Sequence, residues 1–276
     1  METCSTESIK IRKISAGIIR ETEDELAIEE PLQIQLEYST TAGMMRKNIA
    51  VTMRTPGYDK ELAAGFLFTE GIINGKDQID SIRQSHDSDN KITVVFKENV
   101  KPRLHHSDRN FYTTSSCGIC GKVSIDAISA VSLYKDVKDI INVPASLFHK
   151  LPSLLRKQQV VFESTGGLHA SALFDLEGNF ILLQEDIGRH NALDKLIGVA
   201  MMDDQLPLTN TILLLSGRAS FELIQKAVMS GIKVVAAIGA PSSLAVDLAR
   251  ENNITLTGFL KNERFNIYSG DERVTM

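Results

Sequence analysis

Apolar and polar residues alternate in short runs through the first half of the chain. Residues 10–15, 32–38, 47–54 and 91–97 each carry roughly alternating apolar positions, which predicts four short strands. Pro56-Gly57 breaks the third run, and Asp59 is placed to cap a helix that runs to about Thr69 and closes at Gly71. After Pro144 the rhythm changes. A helical pattern covers residues 146–157, and a new apolar segment opens at 160–163. Residues 180–183, Thr211–Leu215, 232–238 and 254–259 then read as strands, the middle two nearly all apolar, as in strands covered on both faces. Between them lie helices at Arg189–Met202, Phe221–Met229 and 244–250, with Gly231 suited to a C-terminal cap. Strands alternating with helices predict a mainly parallel three-layer α/β sheet. The expected organisation is a smaller β-rich N-terminal domain over residues 1–140 and an α/β domain over 141–276.

Composition narrows the class. Of 276 residues, 43% are hydrophobic and 24% charged, so wholesale disorder is excluded. No apolar run reaches the ~18 residues of a membrane helix, and the first twenty residues carry charges without a long apolar block. The expectation is a cytoplasmic protein with no membrane partner. A net charge of −5 argues against general nucleic-acid binding, which neutralises many phosphates, but leaves room for a basic pocket for one anion. Three cysteines imply no disulfide framework.

Two of those cysteines form Cys117-Gly-Ile-Cys120 behind the hydroxyl-rich Thr113-Thr-Ser-Ser116. Glycines at 118 and 121 leave little bulk around the sulfurs and permit unusual backbone angles. A thiolate is the reactive species of such a pair. Reversible sulfur or persulfide chemistry, an ordinary turn, a zinc site and a thioredoxin-like redox pair all stay open on the residues alone. Zinc lacks a second Cys-x-x-Cys, and the redox motif lacks a preceding βαβ unit. Three strand-to-helix junctions form a second signal: Glu185-Asp-Ile-Gly-Arg-His190, Ser216-Gly-Arg-Ala-Ser220 and Gly239-Ala-Pro-Ser-Ser243. Each should present unpaired backbone N–H groups at one sheet edge, so Gly188, Arg189, His190, Gly217, Arg218 and Ser242 are candidate phosphate contacts. Plain helix capping by Ser220 and by Ser242 or Ser243 is the alternative. His169, in Thr165-Gly-Gly-Leu-His169, is open between a ligand, a base and a hydrogen-bonded core residue.

These blocks, in this order, together with Glu61-Leu-Ala-Ala-Gly-Phe-Leu-Phe-Thr-Glu-Gly71 and Gly258-Phe-Leu-Lys-Asn-Glu-Arg-Phe-Asn266, resemble the formate dehydrogenase accessory sulfurtransferase family, FdhD. The resemblance spans about residues 45–269. Lys261 departs from the expected arginine and loses its bidentate fork. The resemblance implies a sulfur carrier that takes sulfane sulfur from a cysteine desulfurase as a persulfide on Cys117, with Cys120 as a relay. The sulfur then passes to the molybdenum of bis-molybdopterin guanine dinucleotide, activating formate dehydrogenase. It further implies cofactor binding by Phe259, Leu260, Lys261, Asn262, Glu263 and Arg264, a cytidine deaminase-like C-terminal fold without zinc, and a homodimer. The Cys117 loop is expected to be mobile and to sit between the two halves. A non-catalytic chaperone that binds the cofactor or guanine nucleotides is the competing reading, and a zinc-dependent hydrolase a third.

Overall fold

The computed structural model describes residues 5–85, 87–104, 134 and 141–276. Cys117 and Cys120, and the expectations resting on them, lie outside the described residues. The chain opens with an antiparallel ribbon, β1 (Thr6–Ser15) and β2 (Ile18–Ala27), exposed over most of its length. A four-stranded sheet follows, built from β3 (Glu30–Thr40), β4 (Gly43–Arg54), β5 (Ile79–Ser85) and β6 (Ser88–Phe96) in the order β4-β3-β6-β5. Alternation decides its faces: Leu32, Ile34, Leu36 and Tyr38 of β3 are buried while the intervening Gln33, Gln35 and Glu37 are not. Between β4 and β5 runs α1 (Asp59–Thr69). Asp59 is not its cap. Tyr58 takes that position with a left-handed φ of 55°, and the Asp59 carboxylate instead receives Arg54 Nε and Nη2, each at 3.0 Å.

The second part contains β7 (Val143–Pro144), α2 (Ala145–Arg156), α3 (Val160–Thr165), β8 (His169–Asp175), β9 (Phe180–Asp186), α4 (Arg189–Met202), β10 (Thr211–Leu215), α5 (Phe221–Met229), β11 (Val234–Ala237), α6 (Ser243–Glu251), β12 (Thr255–Lys261), β13 (Arg264–Ser269) and β14 (Val274–Thr275). Six of these strands form one sheet in the order β13-β12-β11-β10-β8-β9. The α/β class and the three layers hold: α2 packs on one face, and α4, α5 and α6 on the other. The sheet is mixed rather than mainly parallel. Only β10–β11 and β11–β12 pair in parallel, because hairpins add β8 with β9 on one side and β13 on the other. The strand expected at 254–259 runs on to Lys261 and turns back into β13.

One continuous core cluster joins the two sheets. It runs from Leu32, Ile34 and Leu36 through Leu62 and Leu67 of α1 to Leu193 and Leu196 of α4, and on to Leu213 and Val235 of the larger sheet. The α1–α4 contact is close because two glycines make it. A Cβ on Gly65 would lie 1.9 Å from the Asp194 carbonyl oxygen, and one on Gly198 would lie 1.9 Å from that of Glu61. No helix among the described residues is long and apolar enough to cross a membrane.

Candidate functional site

Strand direction gathers the sequence signals at one edge. Since β9 and β10 both run antiparallel to β8, and β11 and β12 run parallel to β10, the carboxyl ends of β9, β10, β11 and β12 lie together. His169 begins β8 and Arg264 begins β13 at that same edge. Two of the junctions and the end of β12 interlock there. Gly239 N donates to Gly217 O at 2.9 Å, Phe259 N to Gly239 O at 3.0 Å, and Ser242 N to Ala219 O at 3.0 Å. Gly239 is needed for close approach, since a Cβ there would sit 2.9 Å from Gly217 O and from Arg218 N. Carboxyl-edge crevices of this kind are where α/β sheets bind ligands.

The junction residues divide in their use. Gly188 N donates to Asp186 Oδ1 at 2.8 Å and is thus occupied internally. Asp186 also accepts from Thr55 N at 3.1 Å and Asn191 Nδ2 at 3.1 Å, and its Oδ2 lies 2.7 Å from Lys195 Nζ. Burial pushes the Asp186 carboxyl up, and Lys195 and the N–H donors pull it back. Lys195 donates on to Thr55 O at 2.7 Å, and Asn191 Nδ2 to Met53 O at 2.7 Å, so this block pins β4 to α4. Farther along α4, Asp194 is buried 2.9 Å from Lys226 and accepts from Thr69 Oγ1 at 2.7 Å. Burial opposes the charge on Lys226, but Asp194 and Glu70 outweigh it and leave that pKa raised.

His190 is buried, with Ser220 Oγ 3.4 Å and Glu222 Oε2 3.9 Å from its Nε2. The imidazole beside it holds the Glu222 carboxyl down at about 2. Ser220 occupies the N-cap position of α5 without making a side-chain cap bond, whereas Ser242 Oγ caps α6 by accepting from Ala245 N at 3.2 Å. Arg218 is exposed; Arg189 is half-buried, and its Nε has no partner among the described residues.

A cleft of about 1000 Å³ opens on the α2 side of the same edge. One wall is the β12–β13 hairpin, with Leu260, Lys261, Asn262, Glu263 and Arg264; His169 and Ser216 lie at the sheet edge. Arg156 of α2, Gln159 and Phe162 line it as well, and so does Gly166-Gly167. Gly188, Arg189, His190, Gly217, Arg218, Ser242 and Phe259 do not line it. Phe259 stands beside it, 44% exposed rather than in the core. Burial first, then Arg189 and His190, lowers the His169 pKa, favouring a neutral imidazole at the cleft. Glu185, whose carboxyl burial pushes up, accepts from Val161 N at 3.1 Å and Phe162 N at 3.0 Å and so fixes α3 at the rim. The wall carrying Arg156, Gln159 and Phe162 escaped the sequence reading; its only signal is a cation in the last turn of a helix shortly before Gly166-Gly167.

The fold and the cleft define a class: an α/β protein with a β-rich first part, whose ligand-sized opening lies at the carboxyl edge of a mixed sheet. The FdhD/NarQ family model matches residues 27–275, and the chain belongs to that family. It is 46% identical over 273 residues to the sulfur carrier protein FdhD of Mycolicibacterium paratuberculosis, covering 96% of this chain and 97% of that protein. The corresponding protein of Sulfolobus acidocaldarius is 40% identical over 268 residues, covering 97% and 98%. A crystal structure from Desulfotalea psychrophila, described as a formate dehydrogenase accessory protein, superposes with a TM-score of 0.72 at 22% identity over 99% of this chain and 100% of that one. It shares the fold.

Proposed function

We propose that this protein is a sulfur carrier that matures formate dehydrogenase in the cytoplasm, as a homodimer. Membership of the family and the names of its relatives support the carrier role. The observation that carries the assignment of the site is the cleft whose one wall is the 260–264 hairpin. Cys117 takes the sulfur: its thiolate attacks the outer sulfur of a cysteine desulfurase persulfide, the old S–S bond breaks, and the donor leaves as a thiolate. Cys120 serves as relay. The client is bis-molybdopterin guanine dinucleotide, a cargo that receives the sulfur at molybdenum. Lys261 and Arg264 supply cations for its phosphates, Leu260, Asn262 and Glu263 complete the wall, and Phe259 offers an exposed ring beside it. The six junction residues 188, 189, 190, 217, 218 and 242 shape the edge next to the cleft, with Arg189 and Arg218 adding positive charge.

The test loads purified protein with a cysteine desulfurase and cysteine, then weighs the peptide containing Cys117. One added sulfur atom is expected in the wild type and none at that position in Cys117→Ala, which should also fail to activate formate dehydrogenase. A Cys117→Ala protein that activates the enzyme as well as wild type refutes the assignment. Zinc analysis of the same preparation should find no stoichiometric metal.

A further inference from the structure

The hairpin is one wall of the cleft; the end of α2, which also lines it, carries a charge of its own. Arg156 ends α2, whose Leu147, Phe148, Leu151 and Leu155 are buried against the sheet, leaving Arg156 on the exposed side and facing the cleft. Among the described residues, Arg156, Lys261 and Arg264 all line this cleft and none of them forms an ion pair or a side-chain hydrogen bond. Glu263 is the one acidic side chain among the described lining residues. The opening is therefore net positive in a chain whose overall charge is −5. Cations brought together from two separate elements without partners repel one another, and an anion bound between them relieves that repulsion. The rest of the lining among the described residues is apolar or neutral, including Pro152, Phe162, Leu168 and Ile238, which suits a heteroaromatic group next to the charge.

We infer that Arg156 is a binding residue of the cleft, contacting the diphosphate of a nucleotide-bearing ligand together with Lys261 and Arg264. This rests on the cleft being the cargo site. The planar guanidinium can take two phosphate oxygens at once, a geometry that the lysine at 261 cannot supply. Arg156 thus offers the fork that Lys261 lacks. A cation at a helix carboxyl end also interacts favourably with the helix dipole, so the test has to separate that role from ligand contact.

The experiment titrates the full-length protein with GDP, inorganic pyrophosphate and guanosine at fixed low salt. Arg156→Ala should weaken GDP and pyrophosphate by about ten- to a hundredfold, the range for a charge-assisted contact, while leaving guanosine unchanged. Arg156→Lys should recover only part of the loss. The urea midpoint of Arg156→Ala reports the helix-end role separately. A lowered midpoint with an unchanged preference for GDP over guanosine overturns the inference. If Arg264→Ala loses GDP while Arg156→Ala keeps it, the cleft stands as the cargo site and Arg156 is removed from it. Absence of any GDP or pyrophosphate binding by the wild type overturns both.

Discussion

Two segments stand out in the sequence, and the structure uses them in different ways. The Glu185-Asp-Ile-Gly-Arg-His190 block and the start of α4 form a buried strut, with Asp186, Asn191 and Lys195 tying Thr55 and Met53 of the first part to the larger sheet. The 261–264 turn is exposed and lines the cleft. A motif dense in charged and polar residues need not contact a ligand; when it is buried, those groups have one another as partners. The strut should thus fail in stability and the hairpin in binding. The largest effect is expected for Lys195→Met, which leaves Asp186 buried without its cation. Removing one partner of a buried pair costs about 3–5 kcal/mol, a large share of a typical domain's stability. Urea denaturation measures it, and a loss below about 1 kcal/mol would mean the pair is not the strut described here.

The hairpin predicts the converse. Arg264 is exposed and unpaired among the described residues, so Arg264→Ala should leave the unfolding midpoint within about 0.5 kcal/mol of wild type. Its affinity for GDP should fall by about one to two decades, equivalent to ~1.5–3 kcal/mol. Equal titration curves for the two proteins at the same salt would take Arg264 out of the site. A loss of stability as large as that of Lys195→Met would erase the distinction between the two segments.

What the chain discloses follows the same division. Strands with one buried face are legible by alternation, as at Leu32, Ile34 and Leu36 of β3, and helices by their spacing and caps, as at Gly231 beyond α5. The ribbon strand β2 is not legible, because Arg20-Glu-Thr-Glu-Asp-Glu25 has no buried face to impose alternation. Strand direction is equally silent: β8 pairs antiparallel with β10 and β13 with β12, and nothing in their apolar pattern distinguishes that from parallel. The hairpin wall of the cleft was marked by its motif. The rest of the lining, with Arg156 and Phe162, comes from helices distant in sequence and joins the hairpin at the cleft only by folding.

A smaller effect comes from the contact between the block and α5. Glu222 has its pKa lowered from 4.5 to about 2, with His190 the first cause. Because the folded-state value is depressed, its contribution to stability is complete above the ordinary carboxylate value and disappears as pH falls from 4.5 through about 2. Across that window the stability advantage of wild type over Glu222→Gln should shrink steadily. A difference that stays constant with pH in urea titrations would show that the two side chains are not coupled.

The smallest effect concerns backbone strain at the hairpin's edge. Phe259 has φ 54°, in the left-handed region, where the Cβ of an L-residue crowds the following carbonyl at a cost of ~1–2 kcal/mol. It sits where the β12–β13 register shifts between Gly258 and Lys261, and its N–H is held by Gly239 O at 3.0 Å. The ring is 44% exposed, so packing offsets only part of that cost. In an ordinary strand alanine is more stable than glycine, because glycine loses more chain entropy on folding. Here the order should reverse: Phe259→Gly should exceed Phe259→Ala in stability by about 1 kcal/mol, since glycine alone adopts this φ freely. Both variants lack the ring, so both should weaken GDP equally if Phe259 stacks on a ligand. Chemical denaturation of the pair reads the strain, and alanine matching or exceeding glycine would show that the bulge relaxes when the ring is removed. A strained, exposed aromatic beside the cleft is the kind of feature retained for contact rather than for stability, and this pair of variants measures the two separately.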